Sequence, residues 1–313
     1  MHLELPQTEA PLNKASEGRD AQWYGHYGHR DTIYERTVDL QGTLNYAKVN
    51  PLTRAQMLDW MIEVLSNLSR KFSEATFFKA AQIMDMHLKT SGSALTDQHI
   101  HLVGLASMYI GSKYEDIEPL RVTELTRDAA YDKFSPQQLR GKELEVLTSL
   151  KFQTSFKTQV EVLDYFYFRI FARHLSDMTQ ELRVLGRNFC IMTLADVGFN
   201  DYDIRYVVLA CMVNAGLYLS QTHNTKSGTA IPNLAPLAGQ DPAAGHQSPS
   251  RADVSRRMKG YVQKECLRKN FPSEIWQLID YVRAFLKKFP ENYAVCRQMC
   301  CLFTFDPKYL GRE

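Results

Sequence analysis

The sequence predicts an all-α protein made of two helical units of about 100 residues each. From residue 53 onward the apolar residues recur with helical spacing, and no run alternates with the period of two that a half-buried strand requires. Each unit contains one run that is apolar or small on every face, IHLVGLASMYIGS at 100–112 and VVLACMVNAGLYL at 207–219. A helix of this composition is buried on all sides. We therefore expect each unit to wrap around one central helix.

Apolar stripes and starting residues predict the helices of the first unit. Their segments are RAQMLDWMIEVLSNLS, EATFFKAAQIMDMHLK, DQHIHLVGLASMYIGSK, a short stretch at 122–126 and a last helix that ends at Leu150. Ser73 and Thr96 stand in N-cap positions, where a hydroxyl accepts a hydrogen bond from an otherwise unpaired backbone N–H. Ser135 followed by Pro136 is a favoured arrangement of cap and first-turn residue for the last helix.

The second unit repeats this plan over residues 153–313. Its predicted helices cover 159–171, 178–196, 203–221, 254–268 and 273–289, with Asn200 as the expected cap of the central helix. Between the third and fourth of these helices, the stretch at about 222–251 is rich in Gly, Pro, Ala and Ser and has no periodicity. A loop of this length inside a compact domain is unusual, and we expect a disordered insertion there.

The N-terminal part is predicted to be less structured. Residues 1–30 are polar with scattered Pro, Gly and Ser and indicate a flexible tail. An amphipathic pattern at 31–44 predicts a short helix, followed by a linker that ends at residue 52. The tail lacks the apolar core of a signal peptide, and no apolar run reaches the length that spans a membrane. We expect a protein of the nucleus, the cytoplasm or both, without a membrane partner.

Charge and motif content argue against several functional classes. The 37 basic and 35 acidic residues are mixed along the chain and leave a net charge of +2, without the basic face or tail of a dedicated nucleic-acid binder. The six cysteines lack short paired spacings, and the sequence contains neither a phosphate-binding loop nor a known catalytic or zinc motif. We expect reduced thiols, no metal, no cofactor and no enzymatic activity.

Charged residues next to apolar stripes are the most informative residues of the chain. Lys113, Tyr114 and Glu115 directly follow the apolar run of the first central helix. A lysine at a helix C-terminus is often only a solvated charge that suits the helix dipole. Arg54 and Asp85 stand beside the apolar stripes of two helices that we expect to be adjacent. Because an unpaired buried charge is costly, we predict an internal ion pair between these two residues.

Four segments in this order and spacing resemble the cyclin box: TRAQMLDWMIEV, IMDMHL, IHLVGLASMYIGSKYEDIEP and QQLRGKELEVLTSLKF. The resemblance makes residues 53–152 an N-terminal cyclin box, and residues 153–313 fit the second repeat of the same family. The family's most characteristic positions are all present, as Arg54, Asp85, Leu102, Lys113 and Glu143. The GSKYED segment is most similar to that of mitotic and S-phase (A- and B-type) cyclins. The resemblance implies two tandem five-helix cyclin folds.

The resemblance also implies a partner. Cyclins bind a cyclin-dependent protein kinase and hold its αC helix and activation segment in the active state, so they are regulatory subunits and not enzymes. By this resemblance Lys113 and Glu143 would hydrogen-bond to the kinase, flanked by Tyr114, Glu115 and Ile117. One alternative is a transcription-type cyclin, which has another kinase partner. The other is a scaffold of the same fold, as in the IIB-type general transcription factor, but the zinc ribbon and basic face expected of it are absent from this sequence.

In mitotic and S-phase cyclins the first helix also forms an apolar patch that binds Arg-x-Leu motifs of kinase substrates or inhibitors. The matching positions here are Thr53, Gln56, Met57, Trp60, Glu63 and His101. Thr53 and Gln56 are polar where the family has apolar residues, and His101 stands in place of a glutamine. We call these six residues the first-helix patch and expect docking on it to be weakened or altered.

Ser248 is a candidate phosphorylation site within the insertion. Its context, Ser-Pro-Ser-Arg, fits the Ser-Pro-x-Arg or Lys preference of cyclin-dependent kinases. Ser-Pro turns are also common in flexible loops, which is the simpler interpretation. Phosphorylation there would add about two negative charges beside Arg251.

The altered first-helix patch leads to a binding prediction. Polar residues at Thr53 and Gln56 remove about 1–3 kcal/mol of apolar burial energy per side chain from an Arg-x-Leu contact. Calorimetric titration with an Arg-x-Leu peptide should therefore give a weaker affinity than a mitotic cyclin gives in a parallel titration. Equal affinities of the two proteins would contradict the prediction.

Overall fold

The computed structural model describes residues 37–44, 47–68, 73–91, 95–172, 175–222, 250–302 and 305–310. Within these ranges the chain is all-α and contains no β-strand beyond an isolated bridge between Lys48 and Thr96. The α-helices are α1 (Pro51–Leu68), α2 (Glu74–Ser91), α3 (Asp97–Glu115), α4 (Pro136–Ser149), α5 (Gln159–Phe171), α6 (Asp177–Thr193), α7 (Ile204–Gln221), α8 (Arg251–Leu267), α9 (Ile275–Asn292) and α10 (Arg297–Cys301). A π-helical segment (Glu124–Ala129) precedes α4, and 3-10 turns (Val197–Asp201 and Pro307–Tyr309) follow α6 and α10.

Three helices of the first unit, α2, α3 and α4, begin at the predicted capping residues, whereas α1 begins at Pro51, three residues before its predicted start. Ser135 Oγ accepts a hydrogen bond from the backbone N–H of Gln138 at 3.2 Å, and Pro136 is the first residue of α4. Thr96 caps α3, and Ser73 Oγ accepts from a backbone N–H in the first turn of α2 at 3.3 Å. The capping predictions for these three helices are confirmed.

The predicted cap of α7 is wrong. Asp203 caps this helix, because its Oδ1 accepts a hydrogen bond from the backbone N–H of Arg205 at 2.9 Å. Asn200 lies earlier, in the 3-10 turn after α6. Its amide donates to Asp85 Oδ2 at 2.9 Å and to Thr43 Oγ1 at 3.1 Å, so a long-range contact uses the side chain that local reasoning assigned to a cap.

The short helix predicted at 31–44 does not extend over residues 37–44. Residues 37–40 have no regular structure and residues 41–44 form a turn, in which Gly42 has a φ of 70°. This segment is held by distant residues instead: Lys89 Nζ donates to Asp39 O at 2.9 Å, and the Gly42 N–H donates to Asp201 Oδ1 at 2.9 Å. The rest of that predicted helix, the tail at 1–30 and residues 223–249 of the insertion lie outside the described residues.

The two predicted central helices are α3 and α7. Helix α3 packs against α1, α2 and α4, and α7 packs against α5, α6, α8 and α9. Gly111 allows α3 to approach α2 closely, since a Cβ at this position would lie 3.1 Å from Thr76 O and 3.3 Å from Ala80 N. The end of α3 is therefore positioned by the backbone of α2.

A buried ion pair joins α1 to α2, as predicted. Arg54 Nε and Nη2 donate to the two carboxylate oxygens of Asp85 at 2.7 and 2.6 Å, and the two side chains are 0% and 1% exposed. Arg54 Nη1 donates to Leu194 O, just after α6, at 2.7 Å. Together with the Asn200 amide on Asp85, these bonds link both helical units through one buried cluster.

Asp59 makes a second link from α1 to the C-terminal helices. Its Oδ1 accepts a hydrogen bond from the backbone N–H of Met299, in α10, at 2.7 Å. Burial raises the pKa of the Asp59 carboxyl, although the backbone N–H groups of α10 favour its charged form. Helix α1 thus contacts both the end of α6 and the start of α10.

All six cysteines, including Cys296, Cys300 and Cys301, are free thiols. In the ranges given above, no three His, Cys, Asp or Glu side chains are grouped so that they could hold a metal ion. None of the described helices is long and apolar enough to cross a membrane.

His87 connects α2 to α4. Its side chain is fully buried; Nδ1 lies 2.7 Å from Ser149 Oγ and Nε2 lies 3.8 Å from Glu145 Oε1. Burial lowers the pKa of His87 to about 4; the negative charge of Glu145 opposes this shift and the positive charge of Lys142 adds to it. The histidine is therefore neutral in the folded protein at ordinary pH.

The lowered pKa of His87 predicts a loss of stability in acid. Between pH 6.5 and about 4 the unfolded chain binds a proton at this residue and the folded chain does not. The free energy of unfolding should fall across this window by about 3 kcal/mol. Urea unfolding of the wild type and of His87→Gln, at several pH values, measures the effect. The variant cannot titrate at this position and should show a shallower pH dependence, and equal slopes would contradict the prediction.

Candidate functional site

The predicted site lies where α3 ends beside α4. Lys113 in the last turn of α3 forms an ion pair with Glu143 of α4, with Nζ against Oε1. The two side chains are 40% and 16% exposed. Lys113 Nζ also lies 4.0 Å from the ring centroid of Tyr109. An ammonium has three donors and a carboxylate has several acceptor positions, so this pair retains capacity for further hydrogen bonds at the surface.

Large apolar side chains are exposed around this pair of helices. Tyr114 is 49% exposed at the end of α3, and Ile117 is fully exposed in the chain that follows. Leu144 of α4 is 59% exposed, and Phe152, just after α4, is 62% exposed at a φ of 58°. The sequence analysis did not identify Leu144 and Phe152. The available signal for Leu144 was its position outside the buried stripe of α4. Exposed large apolar side chains are a feature of interaction surfaces when they form one patch.

Hydrogen bonds fix the chain that follows α3. Thr76 Oγ1 of α2 donates to Asp116 Oδ1 at 2.6 Å. The Asp116 N–H donates to Ser112 O at 2.9 Å, and Ser112 Oγ accepts from the Leu120 N–H at 3.2 Å. The segment that carries Ile117 is thus held at both of its ends.

Lys79 of α2 is buried beneath the same end of α3 and was not predicted. Its Nζ donates to Phe156 O at 2.9 Å and pairs with Glu115 Oε1 at 3.2 Å. The ring centroids of Tyr114 and Phe156 lie 4.4 and 4.6 Å from Nζ, within the range of cation–π contacts. Glu115, one of the predicted contact residues, therefore directs its carboxylate toward Lys79. The sequence signal was a lysine inside the apolar stripe FFKAAQIM.

Arg54, Asp85 and Leu102 were predicted as structural residues of the cyclin box. Arg54 and Asp85 pair inside the protein, away from solvent. Leu102 is half-buried on α3. Ser248 lies outside the described residues, so its role stays a prediction.

The first-helix patch is partly filled by its own side chains. The rings of Trp60 and His101 meet edge to face with centroids 4.6 Å apart, and His101 contacts the ring of Phe134 at 5.3 Å. Met57 is buried over Gly104, where a Cβ would lie only 2.0 Å from Met57 Cε. The apolar members of the patch are therefore packed against α3.

The remaining members of the first-helix patch are polar. Thr53 is half-buried, whereas Gln56 and Glu63 are exposed. Lys133 Nζ lies 3.2 Å from His101 Nδ1, and burial, followed by the charge of Lys133, lowers the pKa of His101. A neutral imidazole between two aromatic rings thus lies at the patch, beside a lysine charge.

Comparisons with known proteins agree with the resemblance. Residues 25–155 match the family described as Cyclin, N-terminal domain. G2/mitotic-specific cyclin-B1 of Oryzias javanicus is 25% identical over 194 residues, which is 60% of this chain and 44% of that protein. G2/mitotic-specific cyclin-B of Emericella nidulans is 29% identical over 168 residues, 54% of this chain and 33% of that protein. The chain matches less than half the length of these two relatives.

Among solved structures, a viral cyclin from herpesvirus saimiri is 17% identical, with a TM-score of 0.47, over 69% of this chain and 87% of that chain. The segment matched by the family, residues 25–155, contains α1 to α4, the predicted buried ion pair of Arg54 with Asp85, and the Lys113–Glu143 pair that the structure shows. The family match and the mitotic cyclin relatives show that residues 25–155 of this chain are similar to the N-terminal domain of cyclins.

Proposed function

We propose that this chain is a regulatory subunit that binds and activates a cyclin-dependent serine/threonine protein kinase in the cell cycle. The observation that carries the proposal is the Lys113–Glu143 pair at the exposed junction of α3 and α4, with exposed Tyr114 and Ile117 beside it. The G2/mitotic-specific names of the relatives support the cell-cycle assignment. In this proposal the chain performs no chemistry of its own.

The exposed pair suits recognition of backbone and loop groups on a kinase. Lys113 donates to carbonyl oxygens of the partner, and Glu143 accepts from its N–H groups. Because the two charges already neutralise each other in the free chain, neither is left unpaired before binding. Their positions are set by two packed helices, which lowers the ordering cost of association.

Activation follows from binding the active kinase better than the inactive one. A protein kinase needs its β3 lysine paired with a glutamate of its αC helix, and its activation loop in place. A partner that binds only this arrangement shifts the kinase population toward it. To turn a 1:99 mixture into 99:1, the preference must reach about 10⁴-fold, or about 5.5 kcal/mol. A buried contact surface with charge-assisted hydrogen bonds supplies a binding free energy of the size that this preference requires.

The proposal predicts that a kinase is lost when the pair is removed. Wild type and Lys113→Ala/Glu143→Ala are used to capture proteins from a cell extract, which are identified by mass spectrometry and assayed for histone kinase activity. Wild type should recover an active cyclin-dependent kinase, and the double variant should recover at least about 30-fold less. The recovered kinase also decides between a cell-cycle and a transcription-type partner.

An exposed ion pair on α8, Arg256 with Asp253, offers a charge-matched control. Arg256→Ala/Asp253→Ala should recover the kinase as wild type does. If no preparation recovers a kinase, the activator proposal is wrong. Kinase recovery that is unchanged in Lys113→Ala/Glu143→Ala would leave the function standing and contradict the assigned site.

A further inference from the structure

We propose that the buried residue Lys79 is a positioning residue that shapes the end of α3, so that Tyr114 and Ile117 make the kinase contact and Glu115 does not. This inference rests on the function proposed above and adds a residue that the sequence resemblance did not indicate. Lys79 touches no partner itself; it acts through the groups that surround its ammonium.

The surroundings of Lys79 show why its partners are held in place. The residue is 1% exposed, so its ammonium is removed from water. Four groups replace the water: the backbone oxygen of Phe156 at 2.9 Å, the Glu115 carboxylate at 3.2 Å, and the Tyr114 and Phe156 rings, with centroids at 4.4 and 4.6 Å. A buried cation that loses such partners is strongly destabilised, which ties the positions of these groups to that of Lys79.

Glu115 is consequently unavailable to a partner. Its carboxylate supplies the negative charge that compensates Lys79. Turning outward to a kinase would take from this buried ammonium the carboxylate that pairs with it at 3.2 Å, at a cost that a surface ion pair does not repay. Tyr114 is different, because one side of its ring covers Lys79 while half of the residue stays exposed. Ile117 is fully exposed. The contact beside Lys113 is therefore apolar and aromatic.

The arrangement depends on how closely α3 packs on α2. Gly111 brings the last turn of α3 onto the backbone of Thr76 and Ala80. At this separation two residues one turn apart on α2 reach consecutive positions at the end of α3: Lys79 reaches Glu115, the last residue of the helix, and Thr76 reaches Asp116. Lys79 also holds Phe156, which precedes α5. The end of α3 is thus fixed both to the first unit and to the start of the second.

Lys79→Met is the direct test, because it keeps a long unbranched stem and removes the ammonium. Affinity is measured by calorimetry between the full chain and the purified kinase partner of a G2/mitotic-specific cyclin-B. Amide hydrogen exchange of residues 112–118 is measured on the chain alone. We expect about tenfold weaker binding and about tenfold faster exchange in this segment. Lys79→Arg, which keeps the charge and the stacking on Tyr114, should restore affinity to within about threefold of wild type.

Three further variants separate positioning from direct contact and from general loss of stability. Tyr114→Ala should weaken kinase binding. Glu115→Gln introduced into Lys79→Met should weaken binding no further than Lys79→Met alone, since Glu115 has already lost its pairing with Lys79. Val262→Ala, which opens a small cavity at a buried position of α8, should lower stability and leave kinase affinity unchanged.

Wild-type affinity together with wild-type exchange in Lys79→Met would overturn the inference, as would a further loss of affinity on adding Glu115→Gln. If Lys79→Met fails to fold, kinase affinity and amide exchange of residues 112–118 are compared instead between Lys79→Arg, which keeps the ion pair, and Glu115→Gln alone, which removes it. Exchange in the free chain does not depend on any kinase. Faster exchange in Lys79→Met combined with no binding by wild type would contradict the proposed function and support the positioning role, so the two failures are distinguishable.

Discussion

The buried bond between Arg54 and Asp85 is the constraint on which the rest of this structure depends. Two full charges have been removed from water, and a guanidinium in that position requires a bidentate partner and further acceptors. Asp85 supplies the first and the carbonyl of Leu194 supplies the second. Each of these partners comes from a different helix or its end, so satisfying one arginine fixes the relative positions of α1, α2 and α6.

The fixed position of α2 determines the geometry of the candidate functional surface. Thr76 and Lys79 lie on the same helix as Asp85 and hold the end of α3. His87, two residues after Asp85 on the same helix, contacts Ser149 of α4. The two helices that carry Lys113 and Glu143 are therefore both packed on α2, and the exposed pair lies at the place where they meet. A surface built this way is already ordered before a partner arrives, which favours binding of one kinase conformation over another.

How much of this could be predicted from sequence depended on the range of the interactions. The cap at Ser135 and the helix at 159–171 follow from local chemistry and periodicity, which a single sequence displays directly. The Arg54–Asp85 pair was also predictable, because a charge buried beside an apolar stripe is costly unless a charge of opposite sign pairs with it. Asn200 was mistaken for a cap because its partners, Asp85 and Thr43, are far away in sequence. Tertiary hydrogen bonds at that position outweigh local propensity.

Lys79 and Glu115 show the same limit at the candidate site. A lysine inside an apolar stripe can extend to the surface or remain buried with partners, and only the packing of α3 on α2 decides between these outcomes. The resemblance indicated Glu115 as a contact residue on position alone. The structure shows that this carboxylate pairs with Lys79. Neither periodicity nor motif spacing contains that information.

The most direct test of this account is the free energy of unfolding of Asp85→Asn, measured in urea by fluorescence and circular dichroism. The substitution keeps the shape of the side chain and leaves the buried Arg54 without its counter-charge. The account predicts a loss of about 3–5 kcal/mol, seen equally by both probes because the cluster joins both helical units. Arg127→Ala, which removes an exposed pair with Asp128, is the control and should unfold as wild type does. A loss below about 1 kcal/mol in Asp85→Asn would contradict the central place given to this pair.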